Sequence, residues 1–133
     1  MREILFRGKR TDNGEWIYGD LMQNVDCIKI REQEKDVKHI AKSFEIDLET
    51  VGQYTDLADK NGKRIFEGDI IKRFWLGAEI IYCVRYDAEN AHFIGKALNK
   101  NGFTSFDGDG EMFEVIGNIN DNPEMLKGGE FNA

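Results

Sequence analysis

Proline occurs once, and histidine and cysteine twice each, in a chain of 133 residues. Each scarcity excludes something. With one proline and 14 glycines, chain reversals must be built mainly from Gly, Asn and Asp, which is the chemistry of β-hairpin turns. Cys27 and Cys83 are too few for a disulfide scaffold, and neither stands in a C-x-x-C pair. Cys83, inside Ile80-Ile81-Tyr82-Cys83-Val84, reads as a buried small hydrophobe, and Cys27 lies beside Ile28 in similar company. Two free thiols suit a reducing cytoplasm. His39 and His92 are not spaced with the cysteines as a zinc set requires; His92, in an apolar stretch, reads as a core or interface histidine. No apolar run approaches the roughly 20 residues of a membrane span, and Met1 to Arg7 turns polar too soon for a signal peptide. The expectation is a cytoplasmic protein without a membrane partner. No Walker A, G-x-G-x-x-G or G-x-S-x-G motif occurs, so the residues predict no enzyme, no catalytic residue, no metal and no small-molecule cofactor.

Positive charge is also in short supply. Lysine and arginine total 18 against 25 acidic residues, a net charge of −7, with a sequence pI near 4.9. Nonspecific nucleic-acid binding runs on phosphate neutralisation by cations, so this balance disfavours it. A local basic stripe can still coexist with an acidic total. The remaining composition, 41% hydrophobic and 32% charged, is globular with a well-solvated surface.

What is present is a recurring phrase. Residues 3–8 read as a first strand, with Ile4 and Phe6 on one side and Leu5 and Arg7 on the other. Asn13-Gly14 follows, a signal for a tight two-residue hairpin turn. The strand Glu15-Trp16-Ile17-Tyr18 comes next, and Gly19-Asp20 is expected to redirect the chain into Leu21-Met22-Gln23. Residues 61–70 repeat the pattern with Asn61-Gly62, Ile65-Phe66 and Gly68-Asp69, and 101–109 echo it. The unequal spacing marks hairpin grammar and not a solenoid. Apolar strands are then expected over 70–76, 79–86, 91–98 and 112–119. Asp47 is a candidate N-cap for a brief helix at 47–51, and Asn122-Pro123 opens another at 122–126. Residues 31–42 form a charged excursion, either a hairpin tip or a short exposed helix. The whole predicts an all-β protein with one or two short helical turns: an N-terminal β-hairpin subdomain over 1–49, an SH3-like β-barrel with a short C-terminal helix over 50–126, and a flexible tail over 127–133.

Several of these segments together carry a resemblance. Thr50 to Thr55, Asp59-Lys60-Asn61-Gly62-Lys63, Ile65 to Ile70 and Val115-Ile116-Gly117-Asn118-Ile119 with Asn122-Pro123-Glu124 form the larger part. Phe6-Arg7-Gly8-Lys9-Arg10 and Trp16 with Gly19-Asp20 complete it. So marked, the chain resembles the YopX family of small proteins carried by bacteriophages and prophages. The resemblance implies a mostly β protein with a barrel-like part in a bacterial cytoplasm, and transfers no activity and no functional residues. The family usually has Pro where Leu48 stands and Gly where Asp56 stands. The first difference loosens the helix at 47–51. The second implies that the turn after Thr55 does not require positive φ.

Three functional classes compete on the residues. Trp16, Tyr18 and Tyr54 are candidates for contact with a protein partner, with packing between the N-terminal hairpin and the barrel as the plainer reading. Lys72, Arg73 and Arg85, interleaved with Phe74, Trp75 and Tyr86, are candidates for a nucleic-acid face, although strand alternation sends aromatics inward and charges outward. Asp107-Gly108-Asp109-Gly110-Glu111 lacks the Gly and Glu positions of a calcium loop. Glu67 with Asp69, and Asp12 with Asp20, read as turn-holding acceptors and only remotely as hydrolase acids. A Cys83–His92 nucleophile pair conflicts with burial of the thiol. The sequence therefore predicts a phage or prophage accessory protein that binds a protein partner or its own copy as a homo-oligomer. Nucleic-acid binding through the 72–86 hairpin is the alternative, and a metal-dependent hydrolase built on acidic loops the remote one.

Overall fold

The computed structural model describes residues 2–33, 41–106 and 110–126. The chain divides into two compact units, Met1–Tyr54 and Thr55–Ala133. Both are all β, and the described helical content is two 3₁₀ turns, Leu48–Thr50 and Pro123–Leu126. Asp47 caps the first by accepting the amide of Glu49 at 3.1 Å.

In the first unit, β1 (Phe6–Lys9), β2 (Trp16–Gln23), β3 (Ile28–Glu32), β4 (Ser43–Glu45) and the start of β5 (Gly52–Ala58) lie in the order β4-β3-β2-β1-β5. One sheet face buries Ile17 and Ile30 with Ile46, against Phe6, Leu21, Phe44 and Val51. That face follows directly from period-two alternation in β2. The β1–β2 connection is wider than the expected two-residue turn. Arg10 N–H bonds the Glu15 carbonyl, and Gly14 N–H bonds that of Arg10. Gly14 alone takes a positive φ, 74°. Asn13 instead uses its Oδ1 to accept the Glu15 amide at 2.9 Å, an Asx turn that needs no left-handed residue.

Gly19-Asp20 does not redirect the chain. Strand β2 runs through it to Gln23 and pairs with β3, Gly19 opposite Glu32 and Asp20 opposite Arg31. Gly19 is required for a different reason: the Arg31 carbonyl occupies the space a Cβ would take. The charged excursion joins two antiparallel strands, β3 and β4, with Glu32 N–H bonded to the Lys42 carbonyl at 2.9 Å. Residues 34–40 and 127–133, with the expectations placed on them, lie outside the described residues.

The second unit contains the rest of β5, then β6 (Arg64–Phe66), β7 (Asp69–Trp75), β8 (Ala78–Asp87), β9 (His92–Ala97), β10 (Phe103–Ser105) and β11 (Glu114–Asn118). Its main sheet has the order β10-β9-β8-β7-β11. Among the described residues its edges, β10 and β11, do not pair with each other, so the sheet is open and the SH3-like closure expected over 50–126 gives way to an open antiparallel sheet. A three-residue β10 supplies too short an edge to close on. Both faces of the middle strands are covered. Ile65, Ile71, Ile80, Tyr82, Val84, Ala97 and Phe113 bury one side, while Ile70, Cys83 and Leu98 pack on the other with Ile81, Ile116, Ile119, Met125 and Leu126. Two-sided burial explains why Ile70-Ile71 and Ile80-Ile81 read as continuous apolar runs.

Asp56 takes φ 70°, which corrects the expectation that the turn after Thr55 needs no positive φ. Asp is among the few side chains that tolerate this region, and Thr55 braces it by donating to the Ile65 carbonyl and accepting the Leu57 amide. The turn between β6 and β7 fits its prediction: Gly68 takes φ 92°, and the buried Asp69 carboxylate accepts the Phe66 amide at 2.7 Å.

Candidate functional site

The β7–β8 hairpin ends in a turn where Trp75 faces Ala78 across the two residues Leu76 and Gly77. Both take positive φ, 52° and 79°. This is the I′ geometry whose twist matches a hairpin, and it favours Asn-Gly or Gly-Gly. A leucine there costs on the order of 1–2 kcal/mol in backbone strain. The strain brings no burial in return, since Leu76 is 91% exposed and Phe74 72% exposed, with Trp75 half exposed. Register sets the arrangement of the tip. Phe74, opposite Glu79, points to one side of the sheet, Trp75 to the other, and Leu76 off the end. The two sides and the end of this protrusion are therefore apolar.

Directly beneath the tip, Arg73 lies on the Trp75 side. Its guanidinium carbon stands 5.1 Å from the Trp75 ring centre, 5.5 Å from Tyr82 and 5.3 Å from Phe113. Its nitrogens donate to Tyr82 Oη at 3.2 Å and reach the Met112 sulfur at 3.4 Å. No carboxylate pairs with it among the described residues. Lys72 has the opposite surroundings, with Glu79 at 3.7 Å and Glu114 at 3.8 Å from its ammonium, and Glu114 also meets Lys60 at 3.5 Å. Arg85 is exposed on β8 opposite Ile94. By strand parity Lys72 and Arg85 share one face of the sheet while Arg73 occupies the other. The three candidate nucleic-acid residues are thus not brought together.

Trp16, Tyr18 and Tyr54 do share a face of the first unit's sheet. Trp16 pairs with Lys9 and Tyr18 with Arg7, while the Tyr54 amide bonds the Leu5 carbonyl at 2.8 Å. Their environments differ. Tyr54 is buried, Tyr18 is 45% exposed, and Trp16 lies under two cations, Arg7 at 4.7 Å and Lys9 at 5.3 Å.

The acidic candidates are held by local partners. Asp12 is gripped by Arg10 through two bonds, at 2.9 and 2.6 Å, and this guanidinium holds its carboxyl below the ordinary range. Asp20 sits mid-strand and exposed, opposite Arg31, so it does not meet Asp12 as a catalytic partner would. Asp59 is 4% exposed. One of its oxygens accepts the amides of Asn61 and Lys63, the other that of Val115, each at 2.9 Å. Burial pushes the Asp59 carboxyl up, yet the amides of Val115, Lys63 and Asn61 outweigh it and hold the group below its ordinary value. An open cleft of about 620 Å³ runs beside it, walled by Asp56, Leu57, Ala58, Lys60, Gly62, Gly110 and Glu111. A second, of about 450 Å³, is lined by Asp20, Arg31, Glu32 and Gln33 in the first unit. No cluster of three or more His, Cys, Asp or Glu suited to a metal ion occurs among the described residues; Asp107 and Asp109 lie outside them.

Cys83 is 1% exposed, and burial pushes its thiol up. It stands opposite Lys96, whereas His92 stands opposite Asp87, so register separates the two. His92 is not a core residue. Its side chain is 43% exposed and its Nε2 lies 3.5 Å from Asp87, because β9 begins at this residue and the preceding turn is open to solvent. Cys27 is half-buried, and both thiols are free. No described helix is long and apolar enough to cross a membrane.

The hairpin tip escaped sequence reasoning because Phe74-Trp75-Leu76 continues an apolar strand. The signal available was the Gly77 that ends it, immediately before the next strand.

No curated protein matches this chain. Among solved structures it is similar to protein EF1440 from Enterococcus faecalis, at 21% identity and a TM-score of 0.57, over 96% of this chain and 100% of the other. That likeness supports the two-sheet, all-β fold. The family model described as YopX protein matches residues 5–127, and the chain belongs to the YopX family.

Proposed function

We propose that the chain is a non-enzymatic accessory protein of a phage or prophage, acting in the bacterial cytoplasm by binding another protein or its own copy through the β7–β8 tip. The observation that carries this reading is the apolar tip itself, with Leu76 91% exposed in a left-handed conformation. Strain and exposed apolar surface both oppose folding and solubility, so their joint occurrence argues for a contact made elsewhere. The non-enzymatic half is supported by Asp59 and Asp69, buried carboxylates that accept backbone amides. The nucleic-acid alternative is weakened by the split of Lys72 and Arg85 from Arg73 across the sheet and by the two carboxylates on Lys72.

Affinity capture from bacterial host lysate, run in parallel with the wild-type chain and a Trp75→Ser, Leu76→Asp double variant, tests the reading. Light scattering of both proteins accompanies it. A partner retained by the wild type and lost by the variant is expected, or a mass above the 15.3 kDa of one chain that falls to it in the variant. Equal capture by both proteins, with both monomeric, would overturn the reading.

A further inference from the structure

Resting on that reading, we infer that the occupant of the tip is a partner protein offering an apolar cleft with a carboxylate at its rim, and that Arg73 meets this carboxylate. The shape comes first. Phe74, Leu76 and Trp75 face three different directions from one narrow turn. A flat partner covers one of them, whereas a cleft covers all three. The cleft beside Asp59 carries Asp56, Lys60 and Glu111 on its walls, and that of the first unit Asp20, Arg31 and Glu32; charged groups on both make them poor seats for the apolar tip of a second copy. A bilayer also surrounds a protrusion, but Glu79 and Glu114 neutralise Lys72 at the root of this one, and the chain carries −7 overall. That charge balance opposes approach to an anionic lipid surface.

Arg73 supplies the chemical half. It is the cation beside the tip without an ion pair among the described residues, while Lys72 has two carboxylate neighbours. Tyr82, Phe113 and Trp75 hold its guanidinium in place, so little side-chain freedom remains to be lost on binding. Covering the tip removes water from this group, and a desolvated guanidinium requires an acceptor, for which a carboxylate is the best geometric match.

The test places a photoreactive benzoylphenylalanine at position 76 of the full chain, with the same label at the exposed Phe103 as a control, in cells that naturally produce the protein. Cross-linked sites are mapped by mass spectrometry. The expected result is one partner chain labelled from position 76 and not from 103, on apolar residues beside an Asp or Glu. Adding Arg73→Met, which keeps the aliphatic packing and removes the charge, should lower the yield on the order of thirtyfold. Arg73→Lys should restore part of it, and circular dichroism spectra of both variants should show the parent's fold. Labelling of one protein that is indifferent to Arg73→Met overturns the carboxylate-rimmed cleft and leaves the tip as a protein contact. Labelling from 76 no greater than from 103, or directed to nucleic acid or lipid, overturns both. Labelling of a second copy overturns the partner cleft alone.

Discussion

Asp56 and Leu76 place L side chains where φ is 70° and 52°, a region that crowds Cβ against the following carbonyl. They differ in what holds them. Asp56 is braced by the Thr55 hydroxyl on both sides, whereas Leu76 caps a free hairpin end. Asp56→Gly should therefore stabilise the protein by roughly 0.5–1 kcal/mol, and Leu76→Asn, which creates an Asn-Gly turn, by about 1 kcal/mol. Urea titration monitored by circular dichroism reads both. A destabilised Leu76→Asn would mean that the leucine is a structural residue, removing the argument built on its strain. The same substitution is expected to abolish partner capture, so stability and binding should move in opposite directions at this position.

At the scale of elements, identical words produced different structures. Gly68-Asp69 makes a turn in which the Asp binds backward to Phe66. Gly19-Asp20 lies inside an eight-residue strand, where the Arg31 carbonyl excludes any side chain. Sequence shows that Gly is needed at both places, but whether the need comes from φ or from a neighbouring strand depends on a partner that is distant in the chain. Gly19→Ala should thus cost about 2–3 kcal/mol through backbone displacement, against about 1 kcal/mol for Gly14→Ala, which meets only the positive-φ penalty in open space. Thermal melts of the pair decide it; equal losses would show that β2 and β3 can part to admit a methyl group.

The long apolar strands β7, β8 and β9 were legible because burial on one or both faces leaves a plain pattern. Strands β3, β4, β5 and β10 were not. Ile28-Lys29-Ile30-Arg31 is short and half charged, and Gly52 to Ala58 contains the positive-φ residue Asp56, which interrupts the alternation. The candidate site was legible in part: the 72–86 hairpin stood out by composition. Which of its residues are exposed depended on a turn placing three apolar groups beyond the sheet, and residue type does not encode that. Arg73, read as a phosphate contact, sits among three rings because its parity matches Ile71 and not Lys72.

For the molecule as a whole, acid is the condition that should expose how the second unit is fastened. The folded state depresses the carboxyl of Asp59 below its ordinary value. Its contribution is therefore fully present above the ordinary carboxylate range and is lost as pH falls through the folded value. Asp59 ties the β5–β6 loop to Val115 on β11, so protonation loosens an edge of the main sheet. Asp59→Asn should cost about 2–3 kcal/mol at neutral pH and give a flatter stability profile below pH of about 4, measured by denaturant unfolding at a series of pH values. A variant that keeps the wild-type acid slope would locate that slope elsewhere.

The turn at Leu76-Gly77 has a consequence for the order of events in folding. A hairpin whose reversal is locally unfavourable gains little by starting there. Contacts at its far end, where Ile70 meets Cys83 and Ile71 meets Tyr82, must form first and draw the tip closed afterwards. Relief of the strain by Leu76→Asn should then leave the refolding rate nearly unchanged and slow the unfolding rate. The solvent-exposed end of this hairpin would be the last piece to assemble and the first to open.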